Sequence, residues 1–244
     1  FIALQFLTRI PLPGKHFEEK ELGRAMAFFP LAGLFLGGAT AFVYFLSSLY
    51  LAAPVGDFLA ILTLILLTGN MHIDGLMDTA DGLFSGRPRE KILEIMRDSR
   101  SGAHGAVAGF LDLLARYVFL GQIAPEAKIF ALLVTPVWGR WAQVYGAARY
   151  PYARADGGLG SISRYVGRRE ITLASLTVLA ATLLLLGPQG GVLAVAALAG
   201  AVAAGTAVFA RYIAGKINGM TGDTLGALGE GAEVLALFCL QAIF

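Results

Sequence analysis

The sequence predicts an all-α polytopic integral membrane protein, a bundle of about seven transmembrane helices forming a single domain over residues 1–244. Three observations carry this. Of 244 residues, 57% are hydrophobic and 15% charged, against roughly 45–50% and about a quarter in soluble domains. The apolar residues come in blocks, most of them near the roughly 20 residues an α-helix needs to cross a hydrocarbon core of about 30 Å. The basic residues fall almost entirely between alternate blocks.

The blocks are residues 26–50, 57–71, 103–123, 127–147, 171–187, 190–210 and 225–244. Runs such as 61–67 and 180–186 are continuously apolar. Strands of a membrane barrel would alternate instead. In the first block Gly33, Gly37 and Gly38 are placed to let helix backbones approach in lipid. The block at 57–71 is the shortest and weakest crossing. The one cysteine, Cys239, excludes an intrachain disulfide framework. A net charge of +2 gives no sign of a nucleic-acid partner. Residues 1–24 lack the order of a cleavable signal and read as part of the mature protein.

The charge map sets an orientation. Arg9, Lys15, Lys20 and Arg24 precede the first block. Five basic residues between 87 and 100 follow the second, and five between 149 and 169 follow the fourth. Arg211 and Lys216 follow the sixth, and the other connections hold only Lys128. By the positive-inside rule the amino terminus and the loops near 72–102, 148–170 and 211–224 are cytoplasmic, and the carboxyl terminus lies outside. Asp112, Arg116 and Arg140 fall inside apolar blocks, where ionisable groups usually face the bundle interior. Asp112 and Arg116 share a helical face, either as a self-neutralising pair or as groups facing a substrate.

Two polar constellations sit on the same predicted side. In residues 72–82, Asp74, Asp78 and Asp81 are spaced i, i+4, i+7, which stacks them on one helical face. Three carboxylates beside lipid repel one another unless a cation joins them, and hard oxygen ligands suit Mg2+. The alternative is a solvated acidic helix end, which would not require Gly75 and Gly82 around the acids. His72 points elsewhere on such a helix and reads as a substrate or supporting contact. Further along, Arg87, Arg97 and Arg100 offer planar donors suited to phosphate oxygens. The small-residue run 99–105 opens a helix whose first N–H groups could meet an anion. Arg89 and Lys91 read as topological charge, so Arg100 is expected to matter more than Arg89. The second constellation is residues 218–227, with Asp223 able to cap a helix and Glu230 and Glu233 reaching two turns into the last block. Carboxylates for a metal and donors for phosphates together describe phosphoryl chemistry, in which positioning and charge neutralisation do most of the work.

Residues 6–13 (Phe-Leu-Thr-Arg-Ile-Pro-Leu-Pro), 29–33, 72–82, 95–105 and 221–227 together resemble the cobalamin synthase family, the adenosylcobinamide-GDP ribazoletransferases. The resemblance runs through nearly the whole chain in order. It implies an Mg2+-dependent phosphotransferase of the bacterial or archaeal inner membrane, with its active site facing the cytoplasm. A ribose hydroxyl of α-ribazole, or of its phosphate, would attack the cobinamide-linked phosphorus of adenosylcobinamide-GDP. GMP would leave, and adenosylcobalamin or its phosphate would form. Carried over by motif, Asp74, Asp78, Asp81 and Asp223 are the expected metal ligands. Asp81 and Asp78 are the expected catalytic residues, with Asp81 favoured to accept the hydroxyl proton. His72, Arg87, Arg97, Arg100, His104, Asn218 and Thr221 are expected to bind substrate. The partners are then these small molecules and the lipid bilayer, in an assembly of one or more copies.

Two other readings compete. A CDP-alcohol phosphotransferase should follow its first Asp-Gly with an Ala-Arg pair, and here Asp74-Gly75 is followed by Leu-Met-Asp-Thr. A transporter using Asp112, Arg116 and Arg140 should show internal repeats with matching broken helices, and no such repeat stands out.

Overall fold

A computed structural model describes residues 1–11, 18–98, 100–155 and 159–244. All regular elements among them are helical, apart from one isolated bridge between Tyr152 and Met220. The helices are α1 (Ile2–Leu7), α2 (Glu19–Ala25), α3 (Phe29–Ser48), α4 (Ala53–Thr68) and α5 (Met71–Leu83). They continue with α6 (Arg89–Ile95), α7 (Ala103–Gln122), α8 (Pro125–Arg149), α9 (Arg168–Ile217) and α10 (Gly222–Ile243). Pro30, Pro54 and Pro125 stand in the first turns of α3, α4 and α8. There the missing N–H would have had no partner in the helix. Ser99 and residues 12–13, parts of the motifs above, lie outside the described residues.

Among the described residues, four stretches are long and apolar enough to cross a membrane: Glu19–Ser48, Ala103–Gln122, Arg168–Ile217 and Gly222–Ile243. The bent pair α4 and α5 makes a fifth if taken as one span. The outward faces are apolar in keeping. Phe42 on α3, Phe110 on α7, Leu184 on α9 and Val208 further along α9 are all more than 60% exposed. So wide an apolar surface is foreign to a water-soluble monomer.

Two backbone breaks shape the bundle. Between α4 and α5 the chain turns by 86°. Gly69 (φ 62°) and Asn70 (φ 65°) both take the left-handed conformation there. Glycine suits residue 69 on both counts: it takes the left-handed conformation without strain, and a Cβ there, 2.0 Å from Nε of Arg9, would force that side chain to move. The 16 residues of α4 extend only about 24 Å. The expected crossing at 57–71 thus becomes a short helix, and the acidic motif lies across its end on α5.

The second break is Gly191 (φ 75°, ψ 173°), which divides α9 into two limbs. In the first limb, Ser175 and Thr182 accept hydrogen bonds from Trp141 and Trp138 of α8, at 2.9 and 3.1 Å. The second limb lies along α10, with Gly205 against Leu235 and Phe209 against Gly231. Gly190 meets Phe244 at the far end of α10. The limbs therefore run in opposite directions.

At the centre, α8 packs against α3, α9 and α10. Gly33 and Gly37 of α3 press on the backbone of α8. A Cβ on either would fall 2.5–2.6 Å from the carbonyls of Pro136 and Leu133. Gly38 faces open space, so only two of the three expected close-packing glycines serve that purpose.

The interior also holds ion pairs. Lys128 donates to both oxygens of Asp57 at 2.8 and 2.7 Å, joining α8 to α4. A larger cluster joins α7, α8 and α10. Arg116 bonds Asp112 at 2.7 Å, Glu233 at 2.6 Å, and Glu230. Arg140 bonds the other oxygen of Glu233 at 2.8 Å. The Asp112–Arg116 pair expected within one helix is thus part of a bundle-wide network. All five residues are 7% exposed or less. Buried charges of this kind persist only when paired.

Candidate active site

The site forms where α5 crosses the start of α10. The crossing is a backbone contact made possible by two glycines. A Cβ at Gly75 would lie 2.8 Å from the carbonyl oxygen of Asp223, and one at Gly226 would lie 3.2 Å from that of His72. Larger residues would separate the acids of α5 from Asp223. Gly82, expected to make room beside the acids, instead makes room for Met96.

The three acids of α5 differ in surroundings. Asp74 is exposed, and Asp78 and Asp81 are half-buried. Asp81 turns to the start of α7, where its carboxylate accepts the N–H groups of Gly102 and Gly105 at 2.7 and 2.8 Å. Gly102 and Gly105 are small because a Cβ on either would meet that carboxylate at 2.4 Å. The anion at this helix start is therefore Asp81 itself, where the sequence suggested a phosphate. Both oxygens of Asp81 are thereby engaged at the start of α7. Asp78 stands in other surroundings. Burial, then the charges of Asp74, Asp223 and Asp81, push its carboxyl up to about 7, against the opposing pull of Arg154.

Asp223 is held by two partners. Arg154 donates to it at 2.9 Å, and the Thr221 hydroxyl donates at 3.2 Å. Thr221 caps α10: its hydroxyl accepts the N–H of Thr224, and its own N–H reaches the Thr224 hydroxyl at 2.8 Å. Thr221, expected to bind substrate, has no exposed surface here and is engaged in the cap and in holding Asp223. Arg154 arrives through the bridge between its loop and the lead into α10. Ala153 N–H donates to Met220 at 2.8 Å, and Met220 N–H to Pro151 at 2.9 Å.

The remaining expected residues are spread along the rim. His72 is buried at the α5–α10 contact. Asn218 ends α9 in the left-handed conformation and is exposed. His104 is exposed on the first turn of α7, its ring 5.9 Å from that of Phe84. Arg87 is exposed after Gly86. Arg100 is exposed and forks onto Asp98 at 3.1 and 2.9 Å. Arg97 shares an open groove of about 350 Å³ with Arg89 and Arg154. Arg89 has a structural duty the sequence did not suggest. It donates to the Ile217 and Ala153 carbonyls at 2.8 and 2.6 Å, tying α6 to the end of α9.

Two further cavities meet the acids. One, of about 180 Å³, is lined by His72, Asp74, Gln143 and Asp223 among apolar neighbours. The other, of about 460 Å³, is an open space bounded by Arg9, Asn70 and Asp74. Sequence reasoning missed Arg154 and Gln143 as site residues. Arg154 was one more basic residue in a basic loop, and its partner is 69 positions away.

The donors suit a hard cation: Asp74, Asp78 and Asp223 offer only oxygen, and their repulsion is relieved by one guanidinium. Among the described residues, no three metal-binding side chains converge tightly enough to hold a metal by themselves. That still fits Mg2+, which usually takes one or two carboxylates and completes its shell with water and substrate phosphates.

Comparison with known proteins bears on the whole chain. The profile of the cobalamin-5-phosphate synthase family matches residues 1–241. An adenosylcobinamide-GDP ribazoletransferase of Desulforamulus reducens is 42% identical over 240 residues, covering 98% of this chain and 94% of that protein. One from Thermoanaerobacter pseudethanolicus is 37% identical, covering 99% and 96%. One from a Roseiflexus species is 41% identical, covering 98% and 87%. No solved structure matches. With the motifs of α5 and α10 in place and a match along almost its entire length, the chain belongs to the cobalamin-5-phosphate synthase family.

Proposed function

We propose that this protein is a membrane transferase that performs the final assembly of the nucleotide loop of cobalamin. It moves the cobinamide-phosphate group of adenosylcobinamide-GDP onto a ribose hydroxyl of α-ribazole or its phosphate. The new bond joins the hydroxyl oxygen to the cobinamide-linked phosphorus. The bond that breaks is the one between that phosphorus and the oxygen bridging to GMP, so GMP leaves with that oxygen.

The observation that carries this reading is the gathering of four carboxylates and one guanidinium at the α5–α10 crossing, in a chain of this family. Asp74 and Asp223 are the residues that would hold Mg2+ together with the diphosphate. When bound, the ion would neutralise charge on the diphosphate and on the departing GMP. Asp78, half-buried beside Asp74, Asp81 and Asp223, accepts the hydroxyl proton. Asp81 keeps α5 docked on α7 and adds negative charge to the cluster. Arg154 and Arg97, sharing one groove, are placed for the phosphate oxygens of the GDP portion.

Seven crossings follow if α3, α4, α7, α8, the two limbs of α9, and α10 each span the bilayer. The basic loops then put the amino terminus and the site at the cytoplasmic face of the inner membrane. A reporter fused after Phe244 should read outside, and one inserted at Ala155 should read inside. A cytoplasmic carboxyl terminus would mean that one of the seven, α4 first, does not cross.

The direct test of function incubates the purified protein in phospholipid vesicles with adenosylcobinamide-GDP, α-ribazole and Mg2+. GMP and adenosylcobalamin should appear together in equal amounts. Their absence, or loss of nothing on chelation, would overturn the reaction or its metal.

A further inference from the structure

The cavity of about 180 Å³ beside the acids has an interior the reaction so far does not use. Its outer edge carries Asp74 and Asp223, and its wall includes His72 of α5 and Gln143 of α8. His72 is 5% exposed and Gln143 3%. Each has a buried polar atom, Nδ1 and Nε2 respectively, without a hydrogen-bond partner. Such atoms are rare in native interiors and call for a reason. The rest of the wall is mostly apolar, from Phe6, Met26, Phe29, Met71 and Ile162. Phe6 and Phe29 lie stacked, with ring centres 5.9 Å apart and planes at 21°. An apolar slot with a few polar groups is the usual form of a small-molecule site.

Building on the function proposed above, we propose that this cavity holds the aromatic base of the acceptor nucleoside, with Gln143 donating to the base's free ring nitrogen. The amide of Gln143 always carries N–H donors, whereas only one of the two nitrogens of a neutral imidazole carries one. A half-turn of the amide's terminal torsion, which is soft, exchanges its oxygen and nitrogen. A benzimidazole-type base fits this wall: its edge is apolar save for one ring nitrogen that accepts. A guanine fits poorly, because its edge of several donors and acceptors would lose water with too few groups to replace it. The placement also suits the chemistry. With the base inside, the ribose falls at Asp74 and Asp223, next to Asp78. The groove of Arg97 and Arg154, also bordering Asp223's partner, is left for the GDP side of the other substrate.

The test compares wild type with Gln143→Leu in phospholipid vesicles, measuring KM for each substrate separately. Loss of one buried hydrogen bond should raise the KM for α-ribazole about tenfold and move that for adenosylcobinamide-GDP by less than about twofold. An α-ribazole analogue with C–H at the free ring nitrogen should be used about tenfold less well by wild type and no worse than α-ribazole by Gln143→Leu. A rise confined to the KM for adenosylcobinamide-GDP would put the guanine here and overturn the proposal. Unchanged KM values would overturn it too, leaving the cavity as a packing defect.

Binding read without turnover separates this inference from the reaction itself. In detergent, α-ribazole should raise the unfolding midpoint of wild type more than guanosine does, and Gln143→Leu should erase that difference. A protein that binds α-ribazole through Gln143 but transfers nothing would sink the proposed reaction and keep the occupant of the cavity. A protein that catalyses the transfer while binding both nucleosides alike would do the opposite. Where Gln143→Leu fails to fold, Ile162→Phe narrows the same cavity from another element and carries the same KM expectation.

Discussion

Two groups of acids lie in this bundle, and they are solved in opposite ways. In the interior, Asp112, Glu230 and Glu233 surround Arg116 and Arg140, with hydrogen bonds on every acid. At the rim, among the described residues, Asp74, Asp78, Asp81 and Asp223 have the guanidinium of Arg154, the hydroxyl of Thr221 and two N–H groups at the start of α7. The interior group is nearly neutralised by the protein. The rim group is left in excess, facing cavities open to solutes. The same residue types thus form a clamp in one place and, on the function proposed above, a binding site completed by metal and substrate in the other. The two are linked mechanically, since α10 carries acids of both and α7 is held at its start by Asp81 and along its length through Arg116.

Breaking the interior group should have the largest effect on folding. Arg116→Leu leaves three buried carboxylates facing Arg140 alone, and should cost about 3–5 kcal/mol in thermal or denaturant unfolding. The smaller pair sharpens this. Lys128→Met strands buried Asp57 and should destabilise, whereas Lys128→Met with Asp57→Leu should recover most of the loss, because an apolar pair of similar volume can replace a buried ion pair.

At the rim, effects should fall on turnover. Arg154→Ala removes the guanidinium that holds Asp223 and should lower kcat/KM roughly ten- to a hundredfold, the range for a hydrogen bond to a charged group, with the unfolding midpoint little changed. The pH response follows from Asp78. Its carboxyl is raised to about 7 in the folded protein, so its contribution to stability is present below about pH 4 and is lost as pH rises through 7. The metal-free midpoint should therefore fall between pH 5 and 8, and Asp78→Asn should remove that part of the slope. Added Mg2+ should flatten it as well.

The smallest effect is assigned to Arg100. Its guanidinium is fully solvated and bound to Asp98, and exposed pairs contribute little. Arg100→Ala should change turnover by less than about twofold, and Arg89→Ala, which frees two carbonyls at the junction of α6 and α9, should do more harm. That reverses the order expected from the sequence.

The helices, their apolar faces and the position of both polar motifs were legible because each depends on local pattern. Period and block length fix a helix, and i, i+4, i+7 spacing puts Asp74, Asp78 and Asp81 along one. The partners were not legible, because they are set by tertiary approach. Gly102 and Gly105 read as a phosphate cradle until Asp81 was seen to fill it. Glu230 and Glu233 read as acids reaching two turns into an apolar helix, with no partner named, because Arg116 lies more than a hundred positions away. The bend at Gly69 and Asn70 was hidden by an apolar run that ends just as a crossing would. Arg154 and Gln143 carry no local signal at all.

The central claim is that the rim acids are in excess because they serve catalysis, and Asp78→Asn tests it most directly. The substitution keeps the side chain's size and removes one charge from a cluster that repels itself. Transfer of the cobinamide-phosphate group, measured as GMP released in vesicles with saturating Mg2+, should fall by orders of magnitude. The unfolding midpoint at pH 8 should stay level or rise. Full Mg2+-dependent activity in Asp78→Asn, or loss of activity only through loss of folded protein, would contradict the account.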